Sequence, residues 1–224
     1  MEPRFKTLGV SLQPQPREMP LPPFEPDALQ RIFAEVSHSH AYQTFEFVFN
    51  RRGAKFVNED HDFVELRPAL FHVQARMDGP DVLTTDSAEK KVVRILKTAT
   101  ERLGVPGFMQ FSLQVIAIAE VPGDDPDAKD FVAEKLMGGG DAPEELGAGY
   151  FGGGVRFRRL AEDGTGEDAL AIEPFLQDNT QLFLNHQITR IFPEYPLTEL
   201  DQIGSWIEDA FEFLSTPAMR LLGR

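Results

Sequence analysis

The stretch Phe108–Val121, FMQFSLQVIAIAEV, constrains the chain more than any other. Its odd positions from Phe111 to Val121 are all apolar, and Ile116 and Ile118 add apolar groups to the other face near its middle. Alternation sustained over that length predicts a long, largely buried strand. An amphipathic helix precedes it, and a short helix, further strands and another helix follow it. The chain therefore reads as α+β.

From the N-terminus, Phe5–Ser11 alternates weakly and is expected to form a first strand. Prolines 14, 16, 20, 22, 23 and 26 then make a stiff connector in which neither helix nor sheet interior propagates. Asp27 is expected to open a helix from Ala28 to about Val36, with Leu29, Ile32, Phe33 and Val36 on its apolar stripe. A meander follows. Phe45, Phe47 and Phe49 share one strand face, Arg51–Gly53 turns, Ala54–Asn58 returns, and Phe63–Arg67 and Ala69–Met77 are separated by Pro68. The next helix is expected to start at Asp86, answered by Glu89, and to end at Gly104.

The second round starts with Phe108–Val121. Asp125 and Pro126 suit the start of a short helix ended by the glycines at 138–140. Gly138–Gly154 reads as a loop and as the leading candidate for a mobile element. Val155–Leu160, Ala169–Pro174 and Gln181–Ile191 read as strands. A last helix is expected to be capped by Thr198, answered by Asp201, and terminated by Pro217. The halves thus share an order: strand, helix, three or four strands, helix, over residues 1–104, and strand, helix, three strands, helix, over 105–224. The expected architecture is two such units packed as one body, with the helices on one face of a curved antiparallel sheet. The other sheet face is then left for a partner.

Charge narrows the function classes. The formal net charge is -14, and residues 105–224 hold 8 Lys/Arg against 21 Asp/Glu, whereas residues 1–104 are nearly balanced. So acidic a second half argues against nucleic acid, whose binding needs a basic footprint. No apolar run is long enough to cross a bilayer and no signal-peptide layout is present, so a cytoplasmic protein without membrane association is expected. The chain has no cysteine, which removes disulfides and thiol chemistry.

Chemistry-bearing residues are sparse. His72 alternates with Gln74 and Arg76 on a polar strand face, where it suits acid–base work on a ligand bound there. His186 shares parity with Leu182, Leu184 and Ile188 and reads as a histidine of the core or sheet face. His38, His40, His61 and Asp62 lack metal-site spacing. Arg156 and Arg158 share a strand face with Arg159 opposite, a grouping suited to an anion, with Glu173 expected across from it. Pairing with Glu162, Asp163 and Glu173 is the competing account. Arg51 and Arg52 play the equivalent part in the first half. Gly147–Gly154, GAGYFGGG, lacks the Lys and Ser/Thr of a phosphate loop. No metal or cofactor set is readable, and no nucleophile accompanies these residues, so no reaction can be named.

Two resemblances bear on this reading. The stretch Ile172–Phe192, IEPFLQDNTQLFLNHQITRIF, with the final helix, resembles the C-terminal part of a sporadically distributed bacterial family of uncharacterised proteins. The element order resembles the TATA-binding-protein saddle, a tandem strand–helix–strands–helix fold; that resemblance implies nucleic acid on a concave sheet face, which the charge opposes. The expected function is a non-enzymatic protein-binding or self-assembly module. Its alternative is a small-molecule binder or enzyme with a cleft between the units, using His72, Arg156 and Arg158.

Overall fold

The computed structural model describes residues 2–15, 24–77, 81–123, 127–138 and 153–223. Among the described residues, nine antiparallel strands form one sheet in the order β2-β3-β4-β5-β1-β6-β9-β8-β7. In chain order they are β1 (Arg4–Pro14), β2 (Thr44–Val48), β3 (Gly53–Val57), β4 (Phe63–Arg67), β5 (Leu70–Arg76), β6 (Phe108–Glu120), β7 (Val155–Leu160), β8 (Gly166–Pro174) and β9 (Gln181–Ile191). The helices are α1 (Pro26–His40), α2 (Thr85–Leu103), α3 (Ala128–Phe131), α4 (Asp201–Phe213) and α5 (Met219–Leu222).

The long alternating stretch is β6. It lies in mid-sheet, antiparallel to β1 on one side and to β9 on the other. Phe111, Leu113, Val115, Ala117 and Ala119 are buried from it, beside Leu8, Val10 and Leu12 of β1. Burying so many apolar side chains along one strand pair, at roughly 1.5–3 kcal/mol for each large one, makes this the core of the fold. The meander makes no strand pairing with β6, although Phe71 of β5 meets Phe108 of β6 edge-on at 5.5 Å between ring centroids. Its last strand β5 pairs with β1, which stands between them.

Helices cover the apolar face. α2 buries Val92, Ile95, Leu96 and Ala99 and packs on β5, α1 and α4. α4 buries Ile203, Ile207, Ala210 and Phe211, with Phe5 of β1 stacked on Phe211 at 4.3 Å between ring centroids. Phe33 of α1 meets Phe45 and Phe56, joining that helix to the meander.

Several boundaries differ from the sequence reading, each for a local reason. α1 runs on to His40 and starts at Pro26 after Glu25, with no side-chain cap; proline's fixed φ suits a first turn, so Asp27 is not needed there. Phe49 is not a strand residue. It begins a turn in which Phe49, Asn50 and Arg51 all have positive φ, and its ring is mostly exposed. The cap of α2 is Thr84, whose Oγ1 accepts from the N–H of Ser87, while Asp86 pairs with Lys90 one turn on. Gly104 ends α2 in the left-handed conformation, as expected.

In the second half the cap of α3 is Asp127, accepting from the N–H groups of Lys129 and Asp130; Asp125 and Pro126 lie outside the described residues. α4 starts at Asp201 without a side-chain cap. Thr198 is not in its capping position, because the preceding Leu197 is held by paired backbone hydrogen bonds to Phe108. Pro217 does not end the helical path. It sits in a π turn, Leu214–Ala218, whose wider register accommodates a residue without an N–H, and α5 continues beyond it.

Candidate binding face

Residues paired across antiparallel strands point to the same side, so the register defines what the sheet shows away from its helices. One row crosses all nine strands. It runs from Glu46 through Lys55, Glu65 and His72 to Ser11, then through Ser112, Thr189 and Glu167 to Leu160. The next row carries Gln74, Gly9, Gln114 and Gln187 across its centre. Charges lie towards the ends of these rows and uncharged amides and hydroxyls in the middle, joined by bonds such as Gln114 Nε2 to Asn185 Oδ1 at 3.1 Å.

His72 is the titratable group at the centre of this face. Its Nδ1 lies 2.6 Å from Ser11 Oγ, and its ring leans against Phe63 with centroids 5.0 Å apart. Lys55 Nζ sits 4.8 Å from the centroid of that phenyl ring. Burial lowers the His72 pKa, against a smaller upward pull from Glu65, so the imidazole is neutral at neutral pH. The ring lies beside Gly9 of β1, where a Cβ would make ordinary contact with His72 Cε1 at 3.6 Å.

Below this centre the face sinks into a depression of about 800 Å³ where β1 meets β6. Arg4, Lys6 and Arg76 supply cations to its lining, and Asp178 is the acid among the described residues there. Ile116, Ile118 and Phe183 form an apolar floor, with Gln74, Gln114 and Gln181 around them. The two isoleucines are the off-face apolar residues of the long alternating stretch. A chain of charge -14 thus places a locally basic, partly apolar hollow on its open sheet face.

The arginines of β7 lie on alternate faces of the strand and pair with acids, as one of the two sequence accounts had it, but with other acids than those expected. Arg158 makes a two-pronged contact with Glu167 at 2.6 and 2.8 Å, and Arg159 pairs with Asp168 on the helix side of the sheet. Glu173 is not across from them, since Arg156 faces Ala171 and Glu173 faces Phe183. Glu162 and Asp163 are likewise not their partners: Asp163 accepts from Thr165 instead. Hydrogen bonding to Arg158 holds the Glu167 carboxyl below its ordinary range.

His72 and Arg156 stand five strand positions apart in the sheet order, about 24 Å at ordinary strand spacing, so the structure does not gather His72, Arg156 and Arg158 into one cleft. Arg51 caps the ring of Phe47 at 5.9 Å, and the adjoining Arg52 shares the exposed β2–β3 turn, remote from the depression. Of the glycine-rich stretch, residues 139–152 lie outside the described residues.

Asp62 emerges as a structural hub. It is buried, accepts from Asn58 Nδ2 and the N–H of Arg76, and pairs with Lys91 of α2. Lys91 also sits over the ring of Tyr42, whose hydroxyl is pushed well above its ordinary pKa by burial. His40, in the last turn of α1, has its pKa lowered by burial and by Lys91 and Arg94. Among the described residues no group of three or more His, Asp or Glu side chains could hold a metal ion.

Sequence reasoning placed His72 and Arg76 on this face but missed Ser11, Arg4 and Lys6. Alternation marks Ser11 as polar, yet only pairing between β1 and β5, 61 residues apart for this bond, brings it to His72. No helix of the described residues is long and apolar enough to cross a membrane.

No protein-family model matches the chain, and no curated protein matches it. Among solved structures, a nonspecific heme-binding cyclase of neoabyssomicin biosynthesis is 11% identical, covers 94% of this chain and 76% of its own, and has a TM-score of 0.17. The di-domain ARO/CYC StfQ from the steffimycin biosynthetic pathway is 8% identical, covers 96% of each chain, and has a TM-score of 0.22. Likenesses of that size carry no functional information.

Proposed function

We propose that the chain is a non-enzymatic protein-binding module whose open sheet face takes an acidic, partly apolar segment of a partner protein. The observation that carries this reading is the hollow between β1 and β6, where Arg4, Lys6 and Arg76 surround Ile116, Ile118 and Phe183. An acidic side chain meets complementary charge there, and an apolar neighbour meets a floor that excludes water. Three cations are too few to track a nucleic-acid backbone across a face whose other charges alternate in sign, which favours a peptide over a polynucleotide.

The reading includes a tandem layout of residues 1–104 and 105–224, similar to the saddle fold. Each of β1 and β6 is followed by a helix, a meander whose last strand returns beside it, and a second helix, and the two first strands lie side by side. That order supports two like units joined edge to edge, the hollow being at their seam.

The test uses a short fluorescein-labelled peptide alternating glutamate with leucine, its lysine–leucine twin, and labelled single-stranded and duplex DNA, measured by anisotropy at low salt. The acidic peptide is expected to bind, and Arg4→Glu with Arg76→Glu is expected to weaken it at least tenfold. Equal binding of the lysine twin, preference for DNA, or indifference to the charge reversal would each overturn the proposal. Sedimentation completes the test: self-association abolished by the same reversal would assign the face to a second copy of the chain instead.

A further inference from the structure

A second cavity lies on the opposite side of the sheet, between β7–β9 and the α4–α5 segment, with a volume of about 510 Å³. That is within the roughly 300–1,000 Å³ usual for small-molecule sites. Its walls are largely aromatic and aliphatic: Phe157 from β7, Leu170 from β8, and Trp206, Phe213 and Leu221 from the helices. Phe157 is 45% exposed.

Two polar features stand among these walls. At the rim, Asp168 draws in both Arg159 and Arg190, at 2.7 Å for the second, and Arg159 remains largely exposed. One carboxylate shared by two guanidiniums leaves a positive charge at that point, with Asp209 of α4 the other acid of the lining. Deeper, His186 is 5% exposed and stacks on Phe213 with centroids 4.4 Å apart. It is hydrogen-bonded to the backbone of Ala210, and its Nδ1 is buried with no hydrogen-bond partner. A buried imidazole nitrogen left without a partner is costly to a structure that needs it only for packing.

We infer that this cavity is a binding site for a compact, ring-bearing apolar molecule with one anionic group, its body between Phe157, Trp206 and Phe213 and its anion at Arg159. The occupant differs in kind from the peptide proposed for the open face, and the two sites lie on opposite sides of the sheet. Neither depends on the other.

Trp206 is the sole tryptophan of the chain and lines the cavity, so its emission is a built-in probe of the site. The probe is 8-anilino-1-naphthalenesulfonate, compared with neutral N-phenyl-1-naphthylamine, which has the same aromatic body. Saturable quenching of Trp206 by the sulfonate, with energy transfer to it and a raised Tm, is the expected result. Arg159→Gln should weaken the sulfonate at least fivefold and leave the neutral amine unchanged, and Phe157→Ala should weaken both. Near-UV circular dichroism establishes that each variant keeps its tertiary packing. Probe binding without energy transfer from Trp206, equal affinity for the two probes, or no effect of Arg159→Gln in a folded variant would overturn the assignment.

Discussion

Ser11 Oγ lies 2.6 Å from His72 Nδ1, a bond made across the β5–β1 pair at the centre of the open sheet face. The contact ties the imidazole to β1 beside Gly9, and Ser11 and His72 are both half-buried. Ser11→Ala leaves Nδ1 without that partner, and is expected to cost about 1 kcal/mol in urea denaturation. Ser11→Thr keeps the hydroxyl and should cost less. A histidine resonance titrating below the ordinary range in the parent protein should be traceable to His72 by its loss in His72→Gln.

Acid should destabilise the protein before its carboxylates are titrated. Burial depresses the pKa of His40, His72 and His186, the last from 6.5 to about 4. Between the folded and unfolded values the unfolded chain binds more protons, so stability is full above about pH 7 and falls as pH drops through 6.5 towards 4. His186 alone accounts for about 3 kcal/mol over that window. Urea midpoints at pH 7.5 and 5 should therefore differ, and His186→Gln should shrink the difference while lowering stability at pH 7.5.

The Asp62 hub ties α2 to the meander and should dominate the response to polar substitutions. Asp62→Ala strands Lys91 in a mostly buried position and removes acceptors from Asn58 and the N–H of Arg76. Loss of one partner from a buried pair costs about 3–5 kcal/mol. Asp62→Asn keeps the neutral acceptor and should fall between the two proteins. Equal stability of Asp62→Ala and the parent would show that Lys91 reaches water without penalty.

How far these features were readable depends on the distance over which each is determined. The alternation in β6 and β9 is local and strong, so β9 and β7 were placed to the residue and β6 to within one at its end. Parity likewise put His72 on the polar face and left His186 as a histidine of the core or sheet face, and the structure buries it. What could not be read was pairing between strands remote in sequence. Nothing local says that β1 inserts between β5 and β6, so the Ser11 contact had no signal, and the ion pairs of Arg158 and Arg159 were readable as pairs but not as to their partners, Glu167 and Asp168. Asp62 was legible only as a turn residue, because its role is set by Lys91, 29 positions away. The cavity beneath α4 depends on a π turn around Pro217, where the usual rule for proline predicts an end.

The start of α2 is a direct contest between a sequence rule and a geometry. Asp86 with Glu89 fits the acidic capping pattern, yet Thr84 occupies the cap and exchanges hydrogen bonds with Ser87, at 2.7 Å between their hydroxyls. The rule fails because Ser and Thr compete for the same position, and a Thr one turn ahead of Ser87 satisfies an N–H that Asp86, already inside the helix, cannot reach. Thr84→Ala is expected to cost about 1 kcal/mol in urea denaturation. Asp86→Ala, which removes only the solvent-exposed pair with Lys90, should leave the midpoint within experimental error. The reverse ranking would return the helix start to Asp86.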